Sequence, residues 1–371
     1  MKVSNVVENN DDIQFVLSGV DKSIANGLRR TLLSDIPMVV MKTMPQEKCK
    51  VVFTANTCKF HNEILKQRLS CIPVHITDLG PHIEQLEIEV DLENDTDQEI
   101  YLTTEDFKIK NLSTGQYLTK DQVKEIFPPN SQTGYYIDVA RLRPKLTPDG
   151  TGERIAFKAT LSIGTADENS MYNAVSNCVY GNTQDEDKIG EQYKIKEQEL
   201  KDAGLSQDNI AFEMKNWKIM DSQRIYLNNS FDFDVKTVGV FTCKELLKIG
   251  CDRLIERLDR LIGEINSDKK KNAEGVVIES TSSTLESGYD VKIYNEDYTI
   301  GMILQYLLYS MHYQGDKTMN FCGFKKLHPH DPFIMGKIGY REETAESVLV
   351  DDLVGALNAA KVIYTDLKEM F

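Results

Sequence analysis

A helix-forming segment at residues 21–33 recurs 276 positions later, at residues 297–309, and this repeat restricts the fold more than any other feature of the sequence. The shared pattern is D-x-[S/T]-I-[A/G]-x-x-L-x-x-x-L, in which Asp followed by Ser or Thr is typical of a helix start. An alternating, strand-like segment precedes each copy, at residues 13–17 and 289–294. The sequence therefore predicts one strand–helix unit that is used twice. Both copies have an apolar residue at every fourth position: Ile24, Leu28 and Leu32, then Ile300, Leu304 and Leu308.

Each half is predicted to end in a long amphipathic helix, one at about residues 242–265 and one from about Glu343 to residue 371. Thr242 and Glu245 form a capping-box pattern at the start of the first of these helices. Both helices carry apolar residues at spacings of three and four, and such an apolar seam has to be covered by a partner. We therefore expect the two helices to pair with each other. Together with the repeated helices, they are expected to form an internal dimerisation surface of Ile24, Leu28, Leu32, Leu247, Leu254, Leu258, Leu261, Ile300, Leu304, Leu308, Leu353, Leu357, Ala360 and Tyr364.

The two halves differ in length. About 209 positions separate Leu33 from Thr242 in the first half, whereas about 34 separate Tyr309 from Glu343 in the second. An inserted, mainly β domain explains the difference, and alternating segments within it predict antiparallel strands. We predict an α+β fold with these domains: a first dimerisation domain at 1–43 and 219–265, an insert domain at 44–218, a linker at 266–275 and a second dimerisation domain at 276–371.

A net charge of −15 and an isoelectric point near 5.0 argue against a protein that mainly binds nucleic acid. Neutralising phosphates requires clustered Lys and Arg, and the sequence has no such stripe. We find no signal-peptide pattern at the N-terminus and no apolar run near the ~18 residues typical of a membrane span. The seven cysteines are scattered without a C-x-x-C pair. We therefore expect a protein of the cytosol or nucleus, with reduced thiols and with no membrane contact, metal or cofactor.

Two polar clusters leave a metal site open as an alternative. The segment His328-Pro329-His330-Asp331 reads as a turn between strands rather than as a ligand set, because Pro and Asp are turn residues. We interpret a row of carboxylates near residue 90 as the solvated face of a half-buried strand, since no His or Cys joins it. The row consists of Glu87, Glu89, Asp91 and Glu93. The alternative is a hydrolase that uses a metal ion bound to the first three of them.

The repeat and its surroundings resemble the RNA polymerase alpha family. The first half is similar to the third subunit of eukaryotic RNA polymerase II and to the archaeal D subunit, through residues 24–33 (IANGLRRTLL), 62–64 (NEI) and 230–233 (SFDF). The second half is similar to the eleventh subunit and to archaeal L, through residues 298–304 (YTIGMIL) and 327–329 (LHP). In that family the two proteins are separate chains that heterodimerise. Their fusion in one chain resembles the arrangement in large cytoplasmic DNA viruses of eukaryotes.

The resemblance implies a non-catalytic subunit of DNA-directed RNA polymerase that serves transcription as an assembly platform. The two large catalytic subunits, and small subunits with them, would dock on it, without direct specific binding of nucleic acid. Arg29 and Arg30 match family arginines that face a large subunit, and Asn62 and Glu63 match a contact region of the insert domain. The four-cysteine zinc loop and the iron–sulfur cysteines of some relatives have no counterpart in this sequence.

We expect a monomer of 42.2 kDa that forms an internal pseudo-dimer. It would act in the cytoplasmic viral factory and the virion if the source is viral, and in the nucleus if the source is cellular. The alternative left open is a free-standing pseudo-dimeric binding protein without a polymerase partner.

Overall fold

A computed structural model of the chain describes residues 1–145, 150–266, 275–281 and 287–371. Thr147-Pro148-Asp149-Gly150 is a sequence typical of a turn, and most of it lies outside the described residues, as does most of the linker predicted at 266–275.

Eight α-helices occur among the described residues: α1 (Lys22–Ser34), α2 (Asn62–Ser70), α3 (Lys120–Ile126), α4 (Glu186–Asp202), α5 (Gln207–Met220), α6 (Cys243–Asn266), α7 (Tyr298–Leu308) and α8 (Glu346–Glu369). A π-helical turn, Tyr309–Gly315, continues α7 directly. Short 3₁₀ turns lie at Gln46–Lys48, Pro81–Gln85, Thr104–Asp106, Ser170–Tyr172 and Ser222–Arg224. Within the described ranges, no helix combines the length and the apolar composition that a membrane span requires.

The described strands form four sheets. The first has the order β1-β2-β11-β10, with β1 Lys2–Glu8, β2 Asp12–Ser18, β10 Val175–Gln184 and β11 Tyr226–Thr237. The second has the order β12-β13-β15-β14, with β12 Val276–Ser280, β13 Gly288–Tyr294, β14 Met319–Lys325 and β15 Phe333–Tyr340. The third has the order β3-β9-β5-β7, and β4 also pairs with β9: β3 Met38–Met41, β4 Val51–Asn56, β5 Leu86–Glu93, β7 Lys108–Asn111 and β9 Arg154–Gly164. The fourth is the pair of β6 (Ile100–Thr103) and β8 (Asp138–Leu142).

The predicted α+β class is confirmed, because helices accompany sheets in which antiparallel pairing prevails. Both copies of the repeat form a strand followed by a helix, β2 with α1 and β13 with α7. The capping box at the start of α6 is also formed: the Thr242 amide donates to Glu245 Oε2 at 2.9 Å, and the Glu245 amide donates to Thr242 Oγ1 at 3.3 Å. The last helix begins at Glu346, close to the predicted Glu343.

The described residues form two compact units. The first contains 1–30, 178–235 and 251–371, and the second contains 31–177 and 236–250. The second unit has its own apolar core, in which one face of the β5, β7 and β9 sheet packs with residues of α2 and α3, such as Leu65 and Val123. The predicted bounds of the insert domain, 44–218, stay a prediction.

Candidate protein-interaction site

The two copies of the repeat begin their helices in the same way in the first unit. Asp21 Oδ1 accepts a hydrogen bond from the amide of Ser23 at 2.8 Å, and Asp297 Oδ1 accepts one from the amide of Thr299 at 2.8 Å. Each aspartate thus satisfies an amide that the first helical turn leaves without a partner. The repeated sequence pattern therefore corresponds to a repeated capping geometry.

Arg30 of α1 connects the first copy of the repeat to the second. Its Nη2 donates to Asp297 Oδ2 at 2.5 Å, and its Nε donates to Thr299 Oγ1 at 2.8 Å. Burial raises the pKa of Asp297, but the hydrogen bonds from Thr299 and the charge of Arg30 outweigh burial and hold it below its ordinary value. Although 44% of its side chain is exposed, Arg30 contacts the second half of its own chain. From the sequence, Arg30 is expected only to face a large partner subunit, and this contact within the chain has no counterpart in that expectation.

A groove runs between α1 and α7, and we call it the α1/α7 groove. Its cavity volume is about 570 Å³. Where the first copy of the repeat has a basic residue in α1, the second copy has a neutral residue in α7. The corresponding pairs are Lys22 and Tyr298, Arg29 and Gln305, and Arg30 and Tyr306. The residues that line the groove are Asp21, Lys22, Ser23, Asn26, Arg29, Arg30, Tyr298, Thr299, Met302, Gln305, Tyr306, Tyr309 and Gln314. One wall is therefore basic and the other is rich in tyrosine.

Arg29 lies on the basic wall of this groove and is half-buried. Its Nε donates to Asn26 Oδ1, one turn earlier in α1, at 3.2 Å. Tyrosine and arginine are among the side chains that most often dominate protein–protein interfaces, because they combine a large apolar body with a polar group. Chemically, the groove suits a protein surface that offers a carboxylate to Arg29 and an apolar group to the tyrosines.

Asn62 and Glu63 lie in the second unit, in the exposed first turn of α2. Asn62 Oδ1 accepts a hydrogen bond from Asn56 Nδ2 at 2.8 Å, and Glu63 Oε2 lies 2.7 Å from His61 Nδ1. The pKa of Glu63 is lowered by its own backbone amide and by His61. Both side chains remain available at the surface for a partner.

All fourteen residues assigned to the internal dimerisation surface are buried, with at most 1% of each exposed. Twelve of them belong to the first unit, whereas Leu32 and Leu247 belong to the second. Burial places these residues in apolar cores, and their joint role in pairing the two halves stays a prediction.

Helices α6 and α8 contact each other in the first unit through two ion pairs. Lys361 Nζ lies 2.7 Å from Asp259 Oδ1, and Lys368 Nζ lies 2.6 Å from Asp252 Oδ1. The residue number rises by seven along α8 and falls by seven along α6 between the two pairs. The helices are therefore antiparallel, with two turns of one matching two turns of the other.

The row of carboxylates on β5 has basic neighbours in the second unit. Lys158 Nζ lies 2.5 Å from Glu89 and 3.4 Å from Glu87, and Arg154 Nη2 lies 2.7 Å from Asp91. The pKa of Glu89 is lowered by the hydrogen bonds from Lys158 and Tyr117. These carboxylates are thus neutralised by cations of the chain itself.

The segment 328–331 forms a turn in the first unit, in which the Asp331 amide donates to the His328 carbonyl at 3.0 Å. In the part of the chain that the structure describes, no group of three or more His, Cys, Asp or Glu side chains is arranged to hold a metal ion.

The chain is similar in sequence to subunits of RNA polymerases. Residues 14–258 match the family described as the RNA polymerase Rpb3/Rpb11 dimerisation domain. The DNA-directed RNA polymerase subunit Rpo3 of Methanosphaera stadtmanae is 24% identical over 273 residues, which cover 69% of this chain and 95% of that protein. Rpo3 of Pyrococcus horikoshii is 23% identical over 283 residues, which cover 71% of this chain and 98% of that protein. A shorter match joins the chain to subunit RPAC1 of human RNA polymerases I and III, with 34% identity over 74 residues, 20% of this chain and 19% of that protein.

Proposed function

The chain belongs to the RNA polymerase Rpb3/Rpb11 dimerisation domain family, and from this premise we propose that it is a non-catalytic subunit of a multisubunit DNA-directed RNA polymerase. It would act as an assembly platform, on which the two large catalytic subunits mount for DNA-templated transcription. Nucleotide transfer would belong to the complex and not to this chain.

One observation carries the proposal. The family match extends over residues 14–258, about two thirds of the chain, and nearly the whole length of the archaeal Rpo3 proteins aligns with it. Those relatives are named as polymerase subunits, so the same assembly is the natural context for this chain. We further propose that residues 276–371, beyond the matched range, supply the second partner of a dimer that relatives build from two chains, and that a virus is the source of this fusion.

We propose two contact surfaces for the large subunits. The first is the α1/α7 groove with Arg29 and Arg30, and the second is the exposed start of α2 with Asn62 and Glu63. The basic wall of the groove supports this choice, because a local cluster of cations in a chain of net charge −15 favours an acidic partner segment.

A pull-down from the native source tests the proposal. The tagged chain is recovered at about 0.5 M salt, where weak surface attraction is screened, and the bound proteins are identified by mass spectrometry. We expect two very large proteins in roughly equal amounts. Recovery of no large protein would contradict the proposed function.

Matched variants test the two surfaces. The double variant Arg29→Ala/Arg30→Ala is compared with Arg224→Ala/Arg253→Ala, which removes two arginines of the same unit, each of them paired with a carboxylate on a neighbouring turn. Glu63→Ala is compared with Asp78→Ala, since both carboxylates are 81% exposed and lie near a histidine. We expect the first member of each comparison to lose the large proteins and the second to retain them. Equal loss in variant and control would show that the assigned surfaces are wrong.

A further inference from the structure

Glu296 is a buried carboxylate at the start of the second repeat. It directly precedes Asp297, the residue that caps α7, and its side chain is fully buried in the first unit. Arg257 and Arg260 of α6 each donate a hydrogen bond to one of its two carboxylate oxygens. Burial raises the pKa of Glu296, and the hydrogen bond and charge of Arg257, with the charge of Arg260, oppose that rise. We call these three residues the Glu296 cluster.

The first repeat carries a different residue at the position of Glu296. The repeat offset of 276 relates Asp297 to Asp21 and therefore relates Glu296 to Val20, which is 5% exposed. A charged residue of one half thus corresponds to a buried apolar residue of the other.

The two long helices differ at the matching positions. Adding 106 to the residue numbers of α6 aligns its buried seam with that of α8. By this alignment Arg257 corresponds to Ile363, and Arg260 corresponds to Asp366. This offset pairs six buried residues of α6 with six buried residues of α8: Cys243 with Leu349, Leu247 with Leu353, Cys251 with Leu357, Leu254 with Ala360, Leu258 with Tyr364, and Leu261 with Leu367.

The ion pairs between α6 and α8 show that Arg257 and Ile363 also lie at the same level of the two antiparallel helices. Asp259 lies two positions after Arg257, and its partner Lys361 lies two positions before Ile363. Asp252 lies five positions before Arg257, and its partner Lys368 lies five positions after Ile363. Arg257 and Ile363 therefore lie at the centre of the antiparallel contact. They are equivalent residues of the two halves and they also lie opposite each other, so exchanging the halves would put each at the position of the other.

We propose that the Glu296 cluster determines pairing specificity, because it permits contact between unlike halves and opposes contact between like halves. The inference rests on the proposed pairing of the two halves, but not on any polymerase partner. In a pair of first halves, Arg257 and Arg260 would meet Val20 in place of Glu296, and only the longer contact of Arg257 with Asp297, at 3.7 Å, would keep a counterpart, in Asp21. In a pair of second halves, Glu296 would be buried against Ile363 and beside Asp366. Removing one partner of a buried ion pair is strongly unfavourable, and buried polar groups are known to fix register and partner choice.

The test uses the whole folded chain, with a protease site introduced within residues 267–274. After cleavage, the halves are free to exchange partners, and native mass spectrometry distinguishes unlike from like pairs by mass. We compare the wild-type sequence with Glu296→Val/Arg257→Ile/Arg260→Asp, which gives both halves the same residues at the cluster. The control is Arg253→Ile, because Arg253 pairs with Glu256 on its own helix.

We expect wild type and control to give unlike pairs alone, and the triple variant to give like pairs in addition. Like pairs in the wild type, or unlike pairs alone in the triple variant, would overturn the proposal. A one-sided variant gives a second test if the triple variant folds poorly. Arg257→Ile/Arg260→Asp leaves Glu296 buried without its partners, so the folding equilibrium constant of the uncleaved chain should fall about 10²- to 10³-fold. Unchanged stability in urea would contradict the role of the cluster.

Discussion

Gly27 of α1 allows a close approach between the repeated helix and α8. A Cβ atom at this position would lie 2.2 Å from the hydroxyl oxygen of Tyr364 and 2.9 Å from Cδ1 of Ile303. Tyr364 is fully buried, and its hydroxyl donates to the carbonyl of Ile24 at 3.1 Å. Gly27→Ala should therefore overpack this contact and also displace the Tyr364 hydroxyl from its hydrogen bond.

The expected magnitude follows from opposing terms. Alanine in place of a helical glycine stabilises a helix by up to about 1 kcal/mol. Overpacking costs about 1–3 kcal/mol, and a buried hydroxyl left without a partner costs about 1–3 kcal/mol more. We expect Gly27→Ala to lower the free energy of unfolding by about 1–5 kcal/mol in urea titrations followed by circular dichroism.

Gly355 of α8 provides the matched control, because a Cβ atom there would meet nothing within 4 Å. Gly355→Ala should raise the free energy of unfolding by about 0.5–1 kcal/mol, so the two glycine variants should change stability in opposite directions. Tyr364→Phe removes the atom in the closest contact, and Gly27→Ala/Tyr364→Phe should therefore cost less than the two single changes added together. Equal stability of the two glycine variants, or simple additivity with Tyr364→Phe, would refute this account of the contact.

Two further predictions concern stability. Arg143 holds the nearly buried carboxylate of Glu153 at 2.6 Å; burial raises the pKa of Glu153, but the hydrogen bonds from Arg143 outweigh it and lower the pKa below its ordinary value. This pair should stabilise the protein above about pH 4.5 and lose its effect as the pH falls through the lowered pKa of Glu153. In urea titrations, acidification should therefore lower the free energy of unfolding less for Glu153→Gln than for the exposed control Glu125→Gln. Leu28 is fully buried, so Leu28→Ala should lower the free energy of unfolding by about 2–5 kcal/mol, whereas Arg29→Ala should change it by about 0.5 kcal/mol or less. Equal unfolding midpoints for these last two variants would contradict the division between core and surface.

Apolar spacing made much of the fold predictable. The four-residue spacing of Ile24, Leu28 and Leu32 recurs in the second half, and local capping residues marked where the helices start. The seams of α6 and α8 were recognised in the same way, because burial imposes a helical period on any sequence that forms such a contact. These signals lie within one element and need no knowledge of distant residues.

The polar contacts of the site could not be predicted in this way. The contact of Arg30 with Asp297 joins residues 267 positions apart, and an arginine on an exposed helix face has no sequence signal that reveals such a partner. Glu296 directly precedes a capping aspartate, and a second carboxylate at such a position is typical of a solvated turn. Its sequence context therefore predicts an exposed side chain and not a buried one. One signal could have identified it: the repeat offset relates it to an apolar residue, Val20, and such a change at an otherwise repeated position indicates different surroundings in the two halves.

Covalent linkage and the Glu296 cluster would act at different stages. In the finished chain, covalent connection of the halves would give an effective concentration on the order of 1 mM, which would favour internal pairing without any help from the cluster. During synthesis the situation differs, because α6 is complete while the 105 residues after Asn266 are still to be made, a delay of about 5–20 s at roughly 5–20 residues per second. In that interval the seam of α6 has no internal partner, and a first half on a neighbouring ribosome offers the same apolar surface. Arg257 and Arg260 would make that contact unfavourable until Glu296 arrives, so the cluster matters most before the linker can act.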